Sequence, residues 1–238
     1  MREQRELGTD DISTIVLGQL ADPPEHREQA LLAGLRVAEG FRDEGRDVLL
    51  LIDAPPSGVP DFGALRPRIG TAGGGSITLL VFDLLLPSTG VELPALAAGD
   101  WDTRIVFDVA LARRGLYPAI DPLVSTSRLL ENGELTPEHA SVARRVRSML
   151  QQERSARADA PPDERMLAGR ARRIEQFQTQ PFFVAQPWTA RPGETVPLGE
   201  TLASYTALAG GAGDAVAEEH FAYRGGLSQV LSPRARGT

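Results

Sequence analysis

The chain has 238 residues, 42% of them hydrophobic and 24% charged, and a formal net charge of −7. That balance belongs to a globular protein, and its acidic sign argues against a broad electrostatic footprint for nucleic acid. Cys is absent and all 25 basic residues are Arg, which excludes disulfides, thiol chemistry, lysine Schiff bases and a Walker A lysine.

Aromatic residues are 5% of the chain, so the core must rest on Leu, Val, Ile and Ala. Residues 1–7 are charged and suit a short helix; no signal peptide is expected at this end, because it has no apolar stretch. Ser13 to Leu20 reads as a strand, from its β-branched and Leu residues. Glu25 to Glu44 reads as a helix. Leu31, Leu32, Leu35, Ala38 and Phe41 fall near a 3.6 spacing, Pro24 sits where helices begin, and Gly45 is a stop. Val48 to Ile52 is a short apolar run of the kind buried on both faces of a parallel sheet.

Ala54 to Gly63 is a loop, and Gly70 to Gly75 is a Gly-rich turn. Ser76 to Leu86 is a second apolar strand; its run is too short for the ~18 residues of a membrane helix, and Asp83 breaks it. Pro87 to Gly99 is a loop, and Arg104 to Ala112 extends or coils. Thr136 to Glu153 is a helix with Thr136 as N-cap and Pro137 first. Asp163 to Gln178 is another, Pro187 to Pro197 a loop, Leu198 to Leu208 a helix and Leu227 to Leu231 a short one. The expected organisation is an α/β layer over 1–132 followed by a helical domain over 133–238.

Chemistry-bearing motifs are sparse. His26, His139 and His220 are far apart, without the i, i+4 spacing of a helical metal pair. Gly73, Gly74 and Gly75 precede a strand, and Gly210, Gly211 and Gly213 are followed by no Lys-Ser/Thr. Both stretches read as turns rather than phosphate loops. Asp47 to Asp53 (DVLLLID) is more suggestive, since an apolar strand ending in a carboxylate can carry a Walker B Asp. Alone, the pattern is common to many parallel strands.

Longer motifs add to this. VLGQLADPPEHR (16–27), LRVAEGFRDEGRDVLLLID (35–53), RIGTAGGGSIT (68–78), GLYPAIDPLVSTSRLL (115–130), GRARRIEQFQTQPFFVAQPWTARPGE (169–194) and FAYRGGL (221–227) occur in this order. Together they resemble the beta subunit of the F-type, proton-translocating ATP synthase. The resemblance implies an α/β fold: a partial RecA-like, P-loop-type nucleotide-binding core lacking the P-loop strand, then a C-terminal helical domain. It implies an adenine pocket of Tyr117, Phe182 and Trp188, with Trp188 on a position where the family has Phe. It puts Asp53 on the Walker B position that holds Mg2+ through water. ATP or ADP with Mg2+ is the implied ligand.

The phosphate half departs from the family. The family's G-G-A-G-V-G-K-T loop and G-E-R-T-R-E-G segment have no counterpart in this sequence. The family reads N-I-F-R-F after the Walker B Asp, whereas here Ala54, Pro55, Pro56, Ser57 and Gly58 follow. Phosphoryl transfer is positioning and charge stabilisation, so losing the Lys, the catalytic Glu and the Arg predicts an inactive chain. Stacking at about 1–3 kcal/mol per base leaves weak binding, between high micromolar and millimolar.

Three functions follow as expectations. The first is a non-catalytic synthase-beta-like protein with an assembly or sensing role. The second is half of a split beta subunit completed by a separate P-loop chain. The third is a gene fragment without a function. Expected partners are other synthase subunits of alpha or beta type, or a chain covering the sheet edge that the missing strand leaves open. No nucleic acid and no membrane insertion are expected. The implied location is the cytoplasm, peripheral to the inner membrane face if the chain assembles in a synthase.

Overall fold

The structure, a computed structural model, describes residues 13–16, 23–54, 65–83, 101–156 and 159–232. The expectations for residues 1–7, 17–20, 55–63 and 84–99 lie outside them. The chain divides into two compact units, Met1–Asp100 and Trp101–Thr238.

The first unit begins with helix α1, Pro24–Asp43. Pro24 occupies the first turn, where its missing N–H is no loss, and Gly45 ends the helix at φ 88°. Strand β1, Asp47–Ala54, follows. Strands β2, Gly70–Ala72, and β3, Gly75–Asp83, form a hairpin, and the sheet order is β1-β3-β2. β1 and β3 are parallel, with Leu51 opposite Leu80 and Asp53 opposite Phe82. Gly73 and Gly74 turn the hairpin, both at positive φ, as a type I′ turn requires. The glycine stretch is therefore a turn. Residues 13–16 are not a strand.

The face of β1 and β3 carrying Leu50, Ile52, Ile77 and Leu79 meets α1, where Leu35 and Ala38 are buried. The other face differs from expectation. Leu49 is 60% exposed, Leu51 56% and Phe82 52%. The apolar run is thus covered on one side only among the described residues, because the single helix packed on it, α1, lies on one face. Arg68 fastens the chain before β2 to α1 through two 2.7 Å bonds to Glu39, while Arg42 donates to the Arg68 carbonyl at 2.7 Å.

The second unit starts with strand β4, Thr103–Arg104, and helix α2, Val109–Arg113. Asp108 caps α2 by accepting from the Ala110 and Leu111 amides. Strand β5, Thr126–Ser127, pairs antiparallel with β4. Helix α3 is Pro137–Arg154, and Thr136 Oγ1 accepts from the His139 amide, as a Thr-Pro start predicts. Helix α4 is Pro162–Phe177. Gln186–Thr189 forms a short helix, α5, that overlaps the start of the segment Pro187 to Pro197 expected to be loop. Helices α6, Leu198–Gly210, and α7, Leu227–Leu231, complete the unit.

Ala171, Ile174 and Phe177 recur every three residues along α4 and are at most 2% exposed. They pack with Met149 and Leu150 of α3, Leu208 of α6, Phe221, and Val230 of α7. Burial of such side chains stabilises by about 1.5–3 kcal/mol each. Three Arg of α4 anchor the chain after α6. Arg170 pairs with Asp214, Arg172 with Glu218, and Arg173 donates to the Val216 carbonyl.

The expected boundary at 132/133 falls inside this unit, and the physical reason is an Arg lattice. Arg147 of α3 donates to the carbonyls of Pro122, Leu123 and Ser125. Arg154 pairs with Asp121, and Arg114 with Glu175. Residues 101–130 thereby belong with the helices. Among the described residues, no helix is long and apolar enough to cross a membrane.

Candidate functional site

The residues around Tyr117 are shaped by turns. Gly115 follows α2 at φ 74°, and its N–H donates to the Ala112 carbonyl. Leu116 turns inward and is 6% exposed, while Tyr117 turns outward and is 41% exposed. The Asp108 amide donates to Ala119 O at 2.8 Å and fixes the far side of the loop.

A second segment leaves the end of α4. Thr179 is 2% exposed and donates from Oγ1 to the Gln176 carbonyl at 2.6 Å. The Gln180 amide donates to the Tyr117 carbonyl at 3.0 Å. Gln180 Nε2 bridges the carbonyls of Phe177 and Arg224. Phe182 follows at once, half-buried and extended at φ −102°, ψ 146°. The structure therefore brings the main chain of Tyr117 beside the segment carrying Phe182, although 65 positions separate them in sequence. Trp188 is in α5, and its side chain lies outside the described residues.

Tyr223 joins these segments. Its hydroxyl donates to the Gly115 carbonyl, and its amide donates to Thr179 Oγ1 at 2.8 Å. The Arg191 guanidinium lies over its ring, 4.7 Å from the centroid, in the range of a cation–π contact. Ala190, just before Arg191, is left-handed at φ 51°. Sequence reading singled out neither Tyr223 nor Gln180 as site residues. Their signal is three-dimensional, because the bond from Tyr223 to Gly115 spans 108 positions.

Asp53 is elsewhere. It is exposed at the C-terminal end of β1 in the first unit, whereas Tyr117 and Phe182 are in the second. Among the described residues, no group of three His, Asp or Glu side chains could hold a metal ion. One carboxylate fits a Mg2+ ion only when phosphates and waters supply the other ligands, which is the role the resemblance implies for Asp53. His26 is in the first unit and the other two His are in the second. His139 begins α3, and His220 Nδ1 is buried without a hydrogen-bond partner.

A cleft of about 420 Å³, including solvent at its mouth, opens beside Pro118. Leu111, Leu116, Ile120 and Leu150 line it, and neither Tyr117 nor Phe182 does. Its charged groups are engaged. Glu175 pairs with Arg114, Arg154 with Asp121, and Glu153 lies 3.9 Å from Arg172.

No family model matches the sequence.

Proposed function

We propose that this chain is a non-catalytic relative of the ATP synthase beta subunit that retains an adenine pocket and acts in assembly or nucleotide sensing. The observation that carries the reading is the Gln180-to-Tyr117 bond, which sets the main chain of Tyr117, a residue with an exposed side chain, beside the segment of Phe182. An exposed aromatic face of this kind suits stacking on a purine. The ordered sequence resemblance supports the same positions.

Phosphate recognition is the weak half. The 238 residues contain no Lys, and Asp53 has no cluster of ligands around it among the described residues. The chain binds ADP or ATP with Mg2+ through the base and does not hydrolyse it unaided. Its proposed place is cytoplasmic, at the inner membrane face when it joins synthase subunits of alpha or beta type.

One observation favours the split-subunit reading instead. Among the described residues β1 pairs only with β3, and Leu49, Leu51 and Phe82 leave an apolar sheet face exposed. Open edges and apolar faces recruit partners, and a chain bearing a P-loop would be one that fits. Its co-purification with this protein would replace the first reading by the second.

The deciding experiment is a titration of the purified chain with MgADP and MgATP, following Trp fluorescence. The chain has two Trp, Trp101 and Trp188, and Trp188→Phe assigns the signal. Saturable quenching that disappears in this variant is the expected result. A flat titration up to several millimolar in the folded protein would remove the nucleotide reading.

A further inference from the structure

We infer that Tyr223 is the positioning residue of the candidate pocket. Its three contacts fall on three separate stretches of chain: Gly115, Thr179 and Arg191. Each stretch carries one of the candidate pocket residues. Tyr117 is two positions after Gly115, Phe182 three after Thr179, and Trp188 three before Arg191. One side chain and its amide thus register all three stretches at once.

The backbone of Tyr223 is unusual. It sits in the left-handed region at φ 56°, which is uncommon for a bulky aromatic residue and costs energy. A Gly at this point would adopt the same backbone freely, and Gly225 and Gly226 stand close by in the sequence. The Tyr ring is what a Gly could not supply, since it reaches Gly115 with its hydroxyl and Arg191 with its face. Neighbouring contacts brace it. The Gln180 side chain holds the Arg224 carbonyl at 2.8 Å, and the Glu194 amide donates to the Pro181 carbonyl at 2.9 Å.

The inference rests on the nucleotide reading only for what the pocket holds; the registration of the three stretches stands apart from it. The test is hydrogen exchange of the full chain with and without MgADP, comparing the unchanged protein, Tyr223→Phe and Thr179→Val. Tyr223→Phe removes the hydroxyl and keeps the ring. Thr179→Val removes the acceptor of the Tyr223 amide and keeps the shape. Each variant should speed exchange of the Gln180 amide and of residues 115–117 by about five-fold, the effect of one lost hydrogen bond. Residues 171–177 in the core should exchange as before, and MgADP affinity should fall by a similar factor.

Unchanged exchange at Gln180 and 115–117 in both variants overturns the inference. So does equal acceleration throughout residues 171–177, which marks a general loss of stability. Absence of MgADP binding in the unchanged protein overturns the nucleotide reading alone, and the exchange pattern then still decides the role of Tyr223.

Discussion

Arg154, at the end of α3, pairs at 3.0 Å with Asp121, whose side chain is 6% exposed. Burial pushes the Asp121 carboxyl up. The Arg154 guanidinium and the amides of Leu123 and Val124 more than offset this and hold it below the ordinary carboxylate range. A carboxylate with a lowered folded value stabilises the fold fully above its unfolded value of about 3.9, and that contribution is lost as pH falls through the folded value. Glu39, hydrogen-bonded to Arg68, and Asp214, hydrogen-bonded to Arg170, are shifted the same way. The melting temperature should therefore stay level from neutral pH to about 5 and drop below about 4. A drop already complete at pH 6 would contradict this assignment.

Arg154→Gln should destabilise the second unit by about 1–3 kcal/mol at neutral pH, read by urea unfolding. The cost stays below that of a stranded charge, because Leu123 N–H still bonds Asp121 at 2.8 Å. Arg154 is also 41% exposed, so water screens part of the pair. The variant should lose the Arg154 part of the Asp121 contribution to the acid-induced change, while the contributions of Glu39 and Asp214 remain.

Two glycines of the first unit should respond in opposite directions. A Cβ at Gly75 would run into the main-chain carbonyls of Arg46 and Arg42, which have no flexible end to move. Gly75→Ala should cost more than about 2 kcal/mol or prevent the hairpin from docking. Gly40 lies inside α1 with nothing within 4 Å of a new Cβ. Gly40→Ala should stabilise by about 0.5–1 kcal/mol. Thermal unfolding of both variants checks the pair, and equal effects of the same sign would refute the packing argument.

Local signals carried much of this fold. Pro24, Gly45, Thr136 and Pro137 mark helix ends by their own backbone chemistry, so α1 and α3 are legible to within a residue or two. The continuous apolar run Val48 to Ile52 is legible as a parallel-sheet strand, but its pairing with β3 is not, because an apolar run does not name its partner. Leu49 and Leu51 misled, because an apolar run does not say how many layers cover it, and one face lies open among the described residues. The unit boundary was also illegible. Arg147 looks like any surface Arg on a helix, yet it binds three carbonyls some 22 to 25 positions back. The candidate site divides in the same way. All four residues stand in the quoted motifs, but the resemblance singles out only Tyr117 and Phe182, while Tyr223 and Gln180 acquire meaning through distant backbone partners.

Arg147→Met tests that hidden anchor. Met keeps the apolar length of the side chain and gives up its three bonds to the Pro122, Leu123 and Ser125 carbonyls. The amides of Leu123 and Ser125, both bonded to Asp121, should exchange faster by about ten-fold. The α4 core should keep its protection. Equal exchange in both proteins would mean that Asp121 alone organises the loop.

Tyr205 offers a spectroscopic check on the core of the second unit. Its ring packs edge-on to Phe177 with centroids 5.6 Å apart, and burial pushes its hydroxyl up to about 12. Tyr117, Tyr205 and Tyr223 are the three Tyr of the chain, so tyrosinate absorbance should show a late step assigned by Tyr205→Phe. The sign of the linkage is fixed by burial of the neutral form. Stability from this group is complete below its unfolded value of about 10 and is lost as pH rises from there through about 12. Alkaline unfolding should therefore begin within that window and begin later in Tyr205→Phe, which has no proton to lose. If both proteins unfold at the same pH, another group drives the alkaline transition and Tyr205 is not its trigger.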